Sequence, residues 1–264
     1  MLNDPMLLAI ALFAAVCIGL SKAGFSGISM VSVVLLADIY GAKASVGLAL
    51  PLLIAADLMA YPAFIKHGSW RLVWKLLPAT FVGLLLGWWL LGEIDDTVAR
   101  RVIGACVLCM VAVQALRKWR PVLFDALAES RGFGCSAGVM GGFSTMLANA
   151  AGPVIQLYLL AQRVPKMELI GIGTRFFLLI NIIKIPLNAK LALITEESLW
   201  ENAKLLPGVF AGIVIGRWLI GRVPQAAFEW MIVIFSFIAA ARLLDLWSFM
   251  HMKFFEILQI VASL

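Results

Sequence analysis

Charged side chains occur in parts of this sequence that are otherwise apolar enough to enter a lipid bilayer. Lys22 follows the run MLLAIALFAAVCI, Asp57 lies in the middle of a second apolar stretch, and Arg175 lies early in a third. A charge at membrane depth is costly unless it is paired or hydrated, and such residues commonly mark substrate or ion pathways. The lysine and the fork-shaped guanidinium of the arginine could bind an anion, and the carboxylate could carry a proton. These residues predict a transport site.

Each of these charges also has a structural interpretation. Lys22 and Arg175 could extend to the membrane surface, since Arg175 lies only about 12 Å into its predicted helix at 1.5 Å per residue. Asp57 could form a structural ion pair with Lys22 or Lys184. Asn181 occupies the equivalent position of an internal repeat and would be the neutral counterpart of Asp57. Asp57 and Asn181 are therefore candidates for coupling or proton binding, with the ion pair as the alternative.

Two polar, glycine-rich segments interrupt the apolar sequence. They are GLSKAGFSG, residues 19–27, and GGFSTMLANAAGP, residues 141–153. Irregular backbone at membrane depth persists only where protein or water satisfies it, and paired interruptions in two halves point to a substrate site. Close helix packing explains the glycines and alanines but not Lys22 or Asn149. The substrate-binding candidates are Ser21, Lys22, Gly24, Ser26, Ser144, Thr145, Asn149, Gln156 and Arg175.

The two interruptions belong to two halves of similar sequence. KLLPATFVGLLLGWWLLG at residues 75–92 reappears as KLLPGVFAGIVIGRWLIG at residues 204–221, an offset of 129. DLMAYPAFIK at residues 57–66 aligns with NIIKIPLNAK at residues 181–190, an offset of 124. Two matches in the same order indicate an internal duplication.

The apolar segments define the elements that would position the candidate residues. With 63% hydrophobic and 14% charged residues, the composition is that of a membrane protein, because soluble domains have about 25% charged residues. The first repeat, 1–116, has an interrupted region at 5–37 and predicted helices near 44–65, 72–92 and 98–116. A connector, 117–131, precedes the second repeat, 132–248, with an interrupted region at 133–161 and predicted helices near 167–187, 203–221 and 227–246. The amphipathic end, 249–264, is predicted to lie in the membrane interface, with a short span as the alternative.

Loop charges predict the orientation of the two halves. The basic segments 66–75 and 117–131 are expected on the cytoplasmic side, and the acidic loop that begins EIDD is expected outside. In the second half, residues 188–204 carry three glutamates and are expected outside, at the position equivalent to 66–75. This inversion requires each interrupted region to enter and return. The predicted fold class is an all-α polytopic membrane protein of two inverted repeats, each an interrupted, re-entrant helix pair plus three transmembrane helices.

The motifs resemble the sulfite exporter TauE/SafE family, also called TSUP transporters. The resemblance rests on GLSKAGFSG, on GFSTMLANAAGPVIQLYLLAQRVPK and on GTRFFLLINIIKIP, and it covers nearly the whole chain. It implies a secondary transporter in a bacterial inner membrane that moves sulfite, an organosulfonate or a related sulfur-containing anion by alternating access. A small carboxylate or other organic anion is the alternative substrate. The family's dependence on ion gradients makes protons or sodium the candidate coupling ions.

The second interruption departs from the family pattern. Many members are expected to have a histidine and Gly-Gly-Pro there, whereas this chain has ANAAGP with Asn149 and Ala151. Asparagine donates a hydrogen bond but does not carry a proton at neutral pH. If the histidine has a protonation role in relatives, substrate or coupling differs in this chain.

Other classes of function find less support in the sequence. No His-Glu-x-x-His motif, nucleophile–base pair or buried histidine indicates an intramembrane enzyme, and a channel or non-transporting scaffold is the remaining alternative. Cys106 and Cys109 lack a histidine or acidic partner nearby, so no metal site is predicted. No cofactor or nucleic-acid partner is expected. The expected partners are a small anion, membrane lipid and a coupling ion, with homo-oligomerisation left open.

Overall fold

The computed structural model describes residues 4–25, 28–64, 66–120, 132–162 and 164–219, together with 222, 237 and 244. These residues form helices and connections, without a strand among them. The predicted helix at 227–246 and the amphipathic end at 249–264 lie outside this description except for isolated positions. The helices are α1 (Pro5–Lys22), α2 (Ser29–Tyr40), α3 (Ala42–Phe64), α4 (Trp70–Glu93), α5 (Asp96–Trp119), α6 (Phe133–Ala148), α7 (Gly152–Ala161), α8 (Lys166–Lys190) and α9 (Glu196–Leu219).

Within the described part of the chain, four helices are long and apolar enough to cross a membrane. They are Pro5–Lys22, Ala42–Phe64, Trp70–Glu93 and Met167–Lys190. Capping residues mark the starts of two of these helices. The carboxylate of Asp4 accepts from the backbone N–H of Met6 at the start of α1, and the hydroxyl of Ser69 accepts from the backbone N–H of Arg71 at the start of α4. The apolar runs give length, and the caps decide where the helices begin.

The start of α9 differs from the sequence prediction. Residues 188–204 were expected to form a loop before a helix near 203, but α8 continues to Lys190 and α9 begins at Glu196. Thr195 and Ser198 cap this end reciprocally, because each backbone N–H donates to the other residue's hydroxyl oxygen, at 3.0 and 3.1 Å. The glutamates that suggested a loop lie in the first turns of this helix, where negative charge is favourable.

The closest helix contacts join the first half to the second. α1 packs against α9, and α4 packs against α6. A Cβ added to Gly19 of α1 would lie 2.1 Å from the carbonyl oxygen of Val209, and one added to Gly142 of α6 would lie 2.0 Å from that of Thr80. Glycine therefore allows the two backbones of each pair to approach more closely than any other residue would permit.

Two long helices, α3 and α8, pack against each other at the centre of the protein. The short helices after each interruption fold back onto the preceding helix, so that α1 contacts α2 and α6 contacts α7. Both interruptions thereby lie beside the α3–α8 pair. Buried apolar side chains from all the helices between α2 and α8 form the larger core.

Candidate functional site

A small cavity lies between the two helix interruptions. Its volume is about 40 Å³, enough for two or three water molecules or an ion of a few heavy atoms, since one water needs about 10–15 Å³ by the same measure. Every helix that ends or begins at an interruption contributes to its wall. The cavity is lined by Ser21, Lys22, Ser29, Leu53, Thr145, Asn149, Gly152, Phe177 and Asn181.

Lys22 supplies the positive charge in the cavity wall. It is the last residue of α1, and its side chain is 11% exposed. The ammonium lies 2.8 Å from the Oδ1 atom of Asp57 and 4.9 Å from the ring centroid of Phe177, a distance at which a cation is attracted to a ring face. Lys22 therefore extends inward to the cavity.

Asp57 lies behind Lys22 in the middle of α3 and is fully buried. Its Oδ2 atom accepts a 2.9 Å hydrogen bond from the side-chain amide of Asn181 on α8. The carboxylate is thus held by a cation on one oxygen and a neutral donor on the other. Both coupling candidates, Asp57 and Asn181, therefore belong to one hydrogen-bonded group at the cavity, and the Lys22–Asp57 ion pair considered from the sequence is present.

Asn149 connects three helices at the second interruption. Its φ of 50° places the backbone in the left-handed region, which asparagine tolerates better than most residues, and this ends α6. Its side-chain amide donates to the carbonyl of Val46 on α3 at 3.2 Å, and its Oδ1 atom accepts from the ammonium of Lys184 on α8. The asparagine therefore lines the cavity and fixes the turn between α6 and α7.

Lys184 lies next to the cavity wall, although the sequence suggested it only as a possible partner of Asp57. It is fully buried, and its ammonium donates to the carbonyl oxygen of Thr145 at 2.7 Å as well as to Asn149. Lys184 follows Asn181 by three residues on an apolar helix, so it lies on the same face. Lys184, like Lys22, is a lysine in an apolar run, and this signal was present in the sequence.

The hydroxyl residues have similar surroundings at the two interruptions. Ser21 donates to the carbonyl of Ile18 at 2.7 Å, and Ser144 donates to the carbonyl of Met140 at 2.7 Å. Ser21 lines the cavity, whereas Ser144 is buried but is not one of the lining residues. Gly24 forms the turn after α1, where its φ of 115° suits glycine alone.

The remaining candidates lie apart from the cavity or outside the described residues. Arg175 lies away from the cavity. Its guanidinium donates to the backbone carbonyls of His67 and Gly68 between α3 and α4, and lies 5.6 Å from the ring centroid of Trp70. It holds that connection and is not part of the described cavity wall. Gln156 on α7 is half-buried and also lies off the wall, and Ser26 falls outside the described residues.

Four helix ends meet at the cavity. α1 and α6 end there and present carbonyl oxygens, while α2 and α7 begin there and present backbone N–H groups. A helix terminus carries about half an elementary charge, positive at its start and negative at its end. Lys22 lies in the last turn of α1, and Lys184 bonds the last turn of α6, so lysines offset both negative ends. The arrangement suits a small anion bound by N–H groups and an ammonium.

Comparison with known protein families gives a match that covers most of the chain. A family model described as Sulfite exporter TauE/SafE matches residues 7–243, which is nearly the whole chain and includes both interruptions. Searches of curated proteins and of solved structures returned no match.

Proposed function

The chain belongs to the TauE/SafE sulfite exporter family and is a multi-pass membrane protein, and from this we propose that it is a secondary transporter of a small sulfur-containing oxyanion. The substrate binds in the cavity between the interruptions. The observation that carries the proposal is Lys22, which lines the cavity beside the starts of α2 and α7. The family name fits this chemistry, because sulfite and sulfonates present several oxygen acceptors on one small ion.

The size and wall of the cavity support a small substrate. A volume of about 40 Å³ suits an ion of the size of sulfite or a one-carbon sulfonate. Besides Lys22, the wall offers the hydroxyls of Ser21 and Thr145 and the amides of Asn149 and Asn181 as hydrogen-bond donors. These groups would also bind a small carboxylate, which is why the substrate test below includes one.

Internal pseudo-symmetry supports transport by alternating access. Asp57 and Asn181, which are equivalent in the two repeats, bond to each other between α3 and α8. The helix pairs α1–α9 and α6–α4 also correspond. In each pair, the helix before an interruption contacts a helix of the other half, and α4 and α9 are themselves equivalent in the two repeats. Such swapped pairing around a central pair of equivalent helices suits two inverted repeats related by an axis through Asp57 and Asn181. We therefore infer that the repeats are inverted and that they rock about the cavity.

The positions of exposed tryptophans support α4 and α9 as helices that cross a membrane. Trp74 and Trp89 lie near the two ends of α4, and Trp200 and Trp218 lie near the two ends of α9, all largely exposed. Their separations correspond to roughly 22 and 27 Å of helix at 1.5 Å per residue. Tryptophan is enriched at both membrane surfaces, and the hydrocarbon core is about 30 Å thick. We assign the protein to the inner membrane of a bacterium on family grounds.

Transport by purified protein in sealed vesicles tests the proposal. We expect saturable uptake of labelled sulfite and faster exchange when unlabelled sulfite is inside, with this counterflow lost in Lys22→Met and retained in Lys190→Met, an exposed lysine on α8. Current without counterflow would indicate a channel instead. If a small carboxylate moves and neither sulfite, thiosulfate nor a sulfonate does, the substrate assignment is wrong. If no anion moves, the transport proposal is wrong.

A further inference from the structure

We propose that the site selects its anion by charge. It binds a monovalent anion without taking up a proton. It binds a divalent anion only together with one proton, which Asp57 takes up. This inference rests on the proposed transport function and adds to it the charge form of the substrate and the identity of the coupling ion.

When all three side chains are ionised, the two lysines and the one carboxylate beside the cavity carry one unbalanced positive charge. Lys22 and Lys184 both interact electrostatically with Asp57. Lys22 lies 2.8 Å from the carboxylate, while Lys184 is held by Thr145 and Asn149. Two ammonium groups thus face a single carboxylate in a region where all three side chains are nearly or fully buried.

The other elements packed against α3 add no charge near Asp57 among the described residues. α8 contributes the neutral amide of Asn181 besides Lys184, and α2 contributes Ser29 to the cavity. α9 meets α3 through apolar residues such as Leu205, and its buried carboxylate, Glu201, bonds with Tyr40 at the end of α2. α5 meets the start of α3, where Asp96 accepts from the N–H of Ala42 at 3.2 Å, roughly 20 Å along the helix from Asp57.

The helix ends do not change this balance. Two helices begin at the cavity and two end there, so their partial charges of about half an elementary charge each cancel. The formal side-chain charge therefore decides the net charge of the site, and that charge is one positive unit.

An unbalanced charge in a poorly solvated region is costly, so a bound state that restores neutrality is favoured. A monovalent anion restores it directly. A divalent anion overshoots by one negative unit, which a proton on Asp57 would compensate. The carboxylate is also placed to respond, because the anion and Asp57 compete for the same ammonium of Lys22. An anion that draws Lys22 away leaves Asp57 less stable as a carboxylate and favours its protonation.

Titration calorimetry with probes of fixed charge tests the rule. Methanesulfonate is monovalent and thiosulfate divalent throughout the range from pH 6 to 8, whereas sulfite changes its charge near neutrality. Measured in two buffers of different ionisation enthalpy, methanesulfonate should bind without proton exchange, and thiosulfate should bind with uptake of one proton. The thiosulfate affinity should fall about tenfold for each unit of pH increase, while the methanesulfonate affinity stays constant.

Substitutions of Asp57 and Lys184 should change the proton uptake on anion binding in opposite directions. In Asp57→Asn, thiosulfate should bind without proton uptake and its affinity should lose the pH dependence. In Lys184→Met, methanesulfonate should now bind with uptake of one proton, and Lys184→Arg should restore the wild-type pattern. If Lys184→Met does not fold, the wild-type protein and Asp57→Asn still decide the matter.

Three results would overturn the inference. They are thiosulfate binding to the wild-type protein without proton uptake, proton uptake that persists in Asp57→Asn, and binding of sulfite when neither fixed-charge probe binds. In each of these cases an anion still binds, so the transport proposal stands. Absence of binding by sulfite and by both probes would reject the transport proposal and, with it, the charge rule.

Discussion

The two helix interruptions reach the same geometry with different residues. At the first, α1 ends on its own lysine, Lys22, which lines the cavity. At the second, α6 ends on Asn149, and the lysine comes from another helix, with Lys184 fully buried and bonded to Thr145. Both lysines offset the negative end of a helix, but only Lys22 belongs to the described cavity wall. Both interruptions thus contribute to the cavity wall, the first with the charged Lys22 and the second with the neutral side chains of Thr145 and Asn149.

The glycine contacts are what the two interruptions share, and their loss should have the largest effect. In Gly19→Ala and in Gly142→Ala the added Cβ would meet backbone atoms at 2.1 and 2.0 Å, so we expect each to lower the free energy of unfolding by about 3 kcal/mol. Melting in detergent measures this. Gly173→Ala is the control, because nothing lies within 4 Å of its added Cβ. Unequal losses at Gly19 and Gly142 would break the structural equivalence.

Lys184→Met should lower the stability of the protein, because Lys184 supports the second interruption. The substitution leaves the buried acceptors of Thr145 and Asn149 without their charged donor, at an expected cost of about 2.5 kcal/mol. Removal of the buried ammonium offsets only part of this cost, because the acceptors stay buried. Lys190→Met on the same helix is the control, since Lys190 is exposed. A melting temperature equal to that of the control would remove the supporting role of Lys184.

Lys22→Met should weaken anion binding, because Lys22 is the cation of the first interruption. Loss of a charge-assisted contact to the anion should weaken methanesulfonate or sulfite affinity about 30-fold, or about 2 kcal/mol. The double variant Lys22→Met with Asp57→Asn controls for the carboxylate that would otherwise lose its ion pair. Calorimetry compares both with the wild-type protein. Affinity within twofold of wild type would place the anion elsewhere and reverse the roles of the two interruptions.

Arg175→Ala should have the smallest effect on binding, because its guanidinium bonds the α3–α4 connection at His67 and Gly68 instead of the cavity. We expect the anion affinity to change by less than about twofold. Hydrogen exchange in residues 66–70 should become faster, because two backbone carbonyls lose their donor. A large loss of affinity with unchanged exchange would return Arg175 to the substrate site that the sequence suggested.

The sequence predicted the elements well because their signals are local. Apolar length marks α3 and α4, and glycines mixed with polar residues mark both interruptions. The predicted start of α9 was wrong because the glutamates suggested a loop. The capping pair of Thr195 and Ser198 sets the helix start instead.

The roles of the cations were harder to predict, because partner helices decide them. Arg175 and Lys22 look alike as cations in apolar runs. The carbonyls that hold Arg175 lie more than 100 residues away in the sequence, with separations of 108 and 107, and the acceptor that fixes Lys184 is 39 residues away. A single sequence does not report these distances. Binding by Ser21, Ser144, Thr145, Asn149 and Gln156 stays a prediction.

The glycine contact between α1 and α9 bears on how the protein is made. Gly19 packs on the backbone of Val209 and Ile213, so the face of α1 that contains Gly19 has no partner until α9 has been synthesised. The first half leaves the ribosome with this small-residue groove facing lipid or the insertion machinery. A nascent chain arrested before α9 would therefore contain every helix that lines the cavity, but its α1 would still lack the helix on which Gly19 packs.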